Sequence, residues 1–153
     1  MLSPQNPRSG CFSPDDIDAF FHYAVEHYNV DRTRIYSTGQ SCGPIGAWGY
    51  LAAHLDELVT AAVLISGDGR DAFKSAGCDL GRVAIWGLHN EKDPSVPSAG
   101  TIETINALSN CDPKPDVKLT VYPDSPVHDA WTKTYDLSAG NDVYSWLLEH
   151  THR

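Results

Sequence analysis

No apolar run in this chain approaches the roughly 20 residues that cross a bilayer, so no membrane-spanning segment is expected. Positive charge is scarce as well: Lys and Arg number 11 against 20 Asp and Glu, a net charge of -9. An acidic surface repels phosphate backbones, and no basic stripe offsets it, so no nucleic-acid partner is expected. The first residues, Met1 to Pro7, lack the apolar stretch of a signal peptide, which as written implies a cytoplasmic protein. Neither the histidine nor the cysteine spacing has the form of a zinc site, and no metal is expected. Internal repeats and low-complexity tracts are missing.

What remains is ordinary for a globular protein. The 153 residues are 41% apolar and 20% charged, enough for one domain over 1–153 with a real core. Residues 1–13 are rich in Pro, Ser and Gly and read as an irregular lead-in. Ser13-Pro14-Asp15-Asp16 then opens a helix, with Ser as N-cap, Pro at the first position and acids in the first turn. Ile17, Phe20, Phe21, Ala24 and Val25 give that helix one apolar face.

Four short apolar runs read as strands: 34–38, 60–65, 82–86 and 117–122. Their Val, Ile and Leu content without strict alternation suits strands buried on both faces of a parallel sheet. Helical patterns fall between and after them, from Pro44 to about Leu55, Ala99 to Leu108, Trp131 to Tyr135 and Asp142 to His150. Gly46, Ala47, Gly49, Ala52 and Ala53 make the first of these slim. Alternation of strand and helix implies an α/β fold, a mainly parallel sheet of about four strands flanked by helices.

Cys11, Cys42, Cys78 and Cys111 allow three full pairings. Cys78 and Cys111 each lie a few residues before a strand, which puts both at the lower edge of a parallel sheet with strands about 4.8 Å apart. That geometry suits a Cys78–Cys111 disulfide; the alternative is two reduced thiols, as in a cytosolic protein. Cys42 lies inside the motif discussed next and is a poor candidate for a bridge.

Gly39-Gln40-Ser41-Cys42-Gly43 is a G-x-S-x-G between a strand and a helix. A serine on such a sharp turn adopts strained backbone angles, and side chains two residues to either side would collide, which glycine avoids. The turn lifts the hydroxyl to the top of the sheet and aims helix N–H groups, notably that of Cys42, at a reacting carbonyl oxygen. Serine is a weak nucleophile and needs a base oriented by an acid. In this arrangement the order along the chain is Ser, Asp or Glu, then His, each after a strand. Asp93 follows the third strand and His128 the fourth, so both arrive at the edge that carries Ser41. Asp68 is the rival acid, after the second strand. His89 is the rival base, although it precedes Asp93 and breaks the order. His22, His27, His54, His150 and His152 lie on helices or the tail and read as structural or solvated.

These residues carry a family resemblance. Val30 to Gly43 resembles the elbow of α/β-hydrolases of the polyhydroxybutyrate depolymerase, feruloyl esterase and predicted-peptidase group. His89-Asn-Glu-Lys-Asp93-Pro-Ser-Val-Pro97 is similar to that group's acid loop, His128-Asp-Ala-Trp131 to its histidine loop, and Tyr144-Ser-Trp-Leu-Leu148 to its final helix. Ser3-Pro-Gln5 is similar to the end of the strand before the helix that precedes the elbow. The resemblance implies a truncated α/β-hydrolase that lacks the family's N-terminal strands, and a serine hydrolase of carboxylic esters. Ser41, Asp93 and His128 would be catalytic, the Cys42 N–H an oxyanion donor, and Gln40 and Trp131 pocket residues. No cofactor is implied, and the substrate is a small-molecule or polymeric ester. Relatives are often secreted. Pro44 departs from the group's second glycine, which the first turn of a helix tolerates. The missing part would carry a His-Gly loop with the second oxyanion donor, and losing such a donor typically costs about 10²–10³ in turnover. It would also cover residues 34–38, whose bare strand edge is a pairing template. A homo-oligomer or a complementing N-terminal segment is expected there. A non-catalytic binding or assembly module and a serine peptidase are the competing readings.

Overall fold

A computed structural model describes residues 1–7, 9–55 and 58–152. Its centre is a four-stranded sheet in the order β1-β2-β3-β4, formed by Tyr36–Gln40, Ala61–Ile65, Ala84–Asn90 and Val117–Tyr122. Every neighbouring pair is parallel. All five residues of β2 are buried, as a strand covered on both faces must be. Ala62 and Leu64 point into one core cluster, Ala61, Val63 and Ile65 into the other, following the two-residue period of a strand. Each large side chain among them contributes about 1.5–3 kcal/mol by leaving water.

The first cluster is roofed by α1 (Pro14–His27), α2 (Cys42–Ala53), α3 (Arg70–Ala76) and α4 (Ala99–Ser109). The second is closed by Ala130, Trp131 and Tyr135 of the α5 region (Trp131–Tyr135), and by Val143 and Leu147 of α6 (Val143–Leu148). Helix α1 starts as its sequence predicts. The Ser13 hydroxyl accepts from the Asp16 N–H at 3.2 Å, and the Asp16 carboxylate accepts from the Ser13 N–H at 3.3 Å. The slimness of α2 has a use: a Cβ on Gly46 would meet the Phe12 carbonyl oxygen at 2.8 Å, and one on Gly49 would meet Pro14 at 3.3 Å. Small residues there let the lead-in and the start of α1 lie directly on α2.

That contact overturns one expectation. Cys42 is bridged: a Cys11–Cys42 disulfide ties the lead-in to the first residue of α2. The lead-in shows no periodicity of its own, so the sequence gives no sign of where it lies. The lower-edge pair Cys78–Cys111 is also joined, as its placement suggested. Two strands are displaced from their predicted bounds. β1 lies two residues later than expected because Asp31 organises a turn, bonding the Thr33 N–H and the Arg34 guanidinium. β3 runs on to Asn90, well past Trp86, because polar His89 and Asn90 are fully buried in the sheet. Helix α3 and the 3₁₀ turn Gly77–Arg82 were not anticipated; they are too short for a hydrophobic period to show. Among the described residues β1 pairs with β2 alone, leaving its other edge open.

Candidate active site

Ser41 stands at the turn from β1 into α2 with φ 54° and ψ -111°, a conformation in which a non-glycine residue is strained. Only one of the two motif glycines is there to avoid a collision. A Cβ on Gly39 would lie 3.1 Å from the Gly43 carbonyl carbon and 3.2 Å from its Cα, whereas a Cβ on Gly43 would meet nothing within 4 Å. Gly39 therefore permits the tight crossing, and Gly43 is the backbone it crosses. Pro44, at the third position of α2, costs no hydrogen bond, because the first-turn amides have no intrahelical acceptor. The Cys42 N–H is one of those amides, at the positive end of the helix.

His128 Nε2 lies 2.7 Å from Ser41 Oγ, and its Nδ1 lies 2.6 Å from Asp93 Oδ2. The Asp93 side chain is fully screened from solvent, while that of His128 is 21% exposed. The other Asp93 oxygen accepts from the N–H groups of Ser95 at 2.8 Å and Val96 at 3.0 Å. Burial works against the charged form of Asp93. The hydrogen bonds from His128, Ser95 and Val96 outweigh it and hold the carboxyl below its usual range.

The sequence brought these three residues to one edge, and the structure brings them into contact. The rival acid Asp68 is turned away: its carboxylate is paired with Arg70 at 2.6 Å, which lowers its pKa. Trp131 meets the His128 ring edge-on, 5.1 Å between centroids, and packs on the second core cluster. Gln40 is exposed at the end of β1 beside Ser41. Two residues that the sequence reading missed hold the histidine loop. The buried Ser66 hydroxyl donates to the His128 carbonyl at 3.1 Å, and the buried Asn90 amide donates to the Val127 carbonyl at 2.8 Å. Their only signal was position, a small polar residue where an apolar strand ends. Among the described residues no cluster of His, Cys, Asp or Glu could hold a metal ion, and no helix is long and apolar enough to cross a membrane.

A parallel sheet with a strained serine at the strand-to-helix turn, and with His and Asp loops above later strands, is the α/β-hydrolase fold. The solved structures agree. The chain is similar to a thermostable esterase at 27% identity and TM-score 0.75, over 89% of this chain and 36% of that one. It is also similar to the Bacillus cereus carboxylesterase at 20% identity and TM-score 0.63, over 89% and 59% of the two chains. The Pyrococcus horikoshii acylaminoacyl peptidase matches at 14% identity and TM-score 0.59, over 78% and 24%. The chain thus spans between a third and three fifths of the length of the two esterases. No family model and no curated sequence matches it.

Proposed function

We propose that the chain is the catalytic part of a serine hydrolase acting on carboxylic esters. The unbroken hydrogen-bonded line from Ser41 Oγ through His128 to the buried Asp93 carries this reading. Ser41 Oγ attacks the acyl carbon while its proton passes to His128 Nε2, and the carbonyl π pair moves onto the oxygen. The Cys42 N–H at the helix terminus stabilises that oxyanion. Collapse expels the alcohol, which takes the proton from His128 and leaves an acyl-serine. Water repeats the sequence: His128 accepts its proton, and the carboxylic acid departs with Ser41 restored. Asp93 holds the His128 Nδ1–H and offsets the imidazolium charge in both halves.

An ester is the less demanding substrate because an alcohol is a better leaving group than an amine and relies less on protonation by His128. The same machinery supports a peptidase reading, as the match to the acylaminoacyl peptidase illustrates. With all four cysteines paired, the protein is suited to an oxidising compartment, in keeping with secreted esterases. The open edge of β1 is proposed to pair with another strand, from a second copy or from preceding polypeptide, and light scattering tests the first option.

Hydrolysis of p-nitrophenyl esters by wild type and Ser41→Ala tests the central reading. Loss of activity by about 10⁴ or more is expected in the variant. Equal rates would end the reading, and a fluorophosphonate that fails to label Ser41 would end it independently.

A further inference from the structure

We infer that His89 is a positioning residue for the proposed reaction, holding Asp93 in place by donating its Nε2–H to the acid loop. The inference rests on the ester-hydrolase reading only for its kinetic consequence; the hydrogen-bond assignment stands on geometry.

His89 is fully buried near the end of β3, and it touches two elements. On one side its Nδ1 lies 2.8 Å from the Thr101 hydroxyl on α4. On the other, Nε2 lies 3.0 Å from the Val96 carbonyl oxygen and 3.3 Å from Asp93 Oδ2. Both groups facing Nε2 are acceptors, because a carbonyl has no proton and Asp93 is held as a carboxylate. A bare Nε2 lone pair would point at two oxygens in a buried site, an arrangement costing the desolvation of every group involved. Nε2 must therefore carry the proton. On the other side the Thr101 hydroxyl has one proton and two acceptors, His89 Nδ1 at 2.8 Å and the Gly67 carbonyl oxygen at 3.0 Å, so the two oxygens facing Nε2 decide where the ring proton sits. Burial disfavours the charged ring, and a neutral ring with both oxygens on its Nε2 side carries its one proton there.

The local sequence builds this contact. Gly87 lies two residues before His89 on the same face of β3, and a Cβ there would meet Thr101 Cγ2 at 2.7 Å. Only glycine lets α4 come close enough for Thr101 to reach the ring. The consequence falls on Asp93. Its Oδ1 accepts two backbone N–H groups, and its Oδ2 faces His128 Nδ1 and His89 Nε2. Three hydrogen-bond donors fix the carboxylate plane, the His89 Nε2–H stands 3.3 Å from Oδ2 as a further positive edge, and its bond to the Val96 carbonyl ties the loop to the same ring. A histidine that precedes the acid, and so breaks the order expected of a base, has a role as a clamp on it.

The tautomer is tested first in the unmodified protein. A two-bond proton–nitrogen correlation spectrum should show His89 protonated at Nε2; a neutral ring protonated at Nδ1 overturns the inference, whatever the activity. The second arm compares His89→Gln, whose amide reaches the Nε2 position, with His89→Asn, which reaches only toward Thr101. Labelling of Ser41 over a series of fluorophosphonate concentrations separates the chemical step from binding. The chemical step should stay near the wild-type rate in His89→Gln and fall about 10-fold in His89→Asn, with affinity unchanged in both. The downfield proton resonance of the His128–Asp93 hydrogen bond should persist in the first variant and weaken in the second. Equal rates and equal resonances in the two variants overturn the positioning role. If the unmodified protein does not label, the hydrolase reading fails, while the spectrum still decides the tautomer.

Discussion

The two ends of the sheet are built by different rules. At the lower end, where strands begin, Leu80, Val83 and Leu108 are buried around the Cys78–Cys111 bridge, and the contacts are apolar. At the upper end, three non-glycine residues with positive φ follow strands: Ser41 after β1, Ser66 after β2 and Asp124 after β4. Buried polar Ser66, His89 and Asn90 gather there as well. Strain and buried polarity each cost stability, and they are concentrated where they orient a hydroxyl, an imidazole and a carboxylate. Among the described residues the lower end has no such strained residue and only Thr60 as a buried polar side chain beside a strand start, and it serves as the anchor. Fold and function are thus segregated along the strand axis.

The two disulfides give the sharpest way to break this comparison. They span nearly equal separations, 31 residues for Cys11–Cys42 and 33 for Cys78–Cys111. Chain entropy then predicts the same loss, about 3–4 kcal/mol, when either pair is changed to serine. Thermal unfolding should show that equality. Ester turnover should not: it should be kept in Cys78→Ser/Cys111→Ser below the melting range and should fall in Cys11→Ser/Cys42→Ser. Equal turnover in both variants would erase the distinction between the ends.

A smaller effect is expected inside the elbow. Gly39→Ala should cost about 1–3 kcal/mol by forcing the turn against Gly43. Gly43→Ala faces open space and should leave the melting temperature nearly unchanged. Calorimetry of the pair reads the difference. The smallest effect concerns acid. Asp93 has a folded pKa below its unfolded value of about 3.9, so its contribution is complete above that value and is lost as pH falls through the depressed folded pKa. Asp93→Asn should flatten the acid side of the stability profile, with little change in slope near neutrality. Denaturant midpoints measured across that range check it.

The comparison also explains what the sequence could reveal. Apolar runs located all four strands, because buried parallel strands need little else. Ser41, Asp93 and His128 were legible as a set since their order and placement are constrained jointly. The clamp residues were hidden. His89 and Asn90 are strand residues that look like loop residues, and only the buried partners Thr101, Val96 and Val127 make sense of them. Cys42 was misjudged for a related reason. A tertiary contact, the lead-in resting on Gly46 and the start of α1 on Gly49, brings Cys11 to Cys42, and the small residues of α2 that permit it do not say which segment lies on them.

The bond between Cys11 and Cys42 closes a covalent ring that contains the whole of α1 and β1. Detachment of the lead-in cannot reach α1 past Cys11 without pulling on the residue beside the nucleophile. Helix and elbow should accordingly open as one cooperative unit, and amide exchange in α1 should track that in the first turn of α2. Reduction would uncouple the two, giving the helix a private, cheaper route to opening.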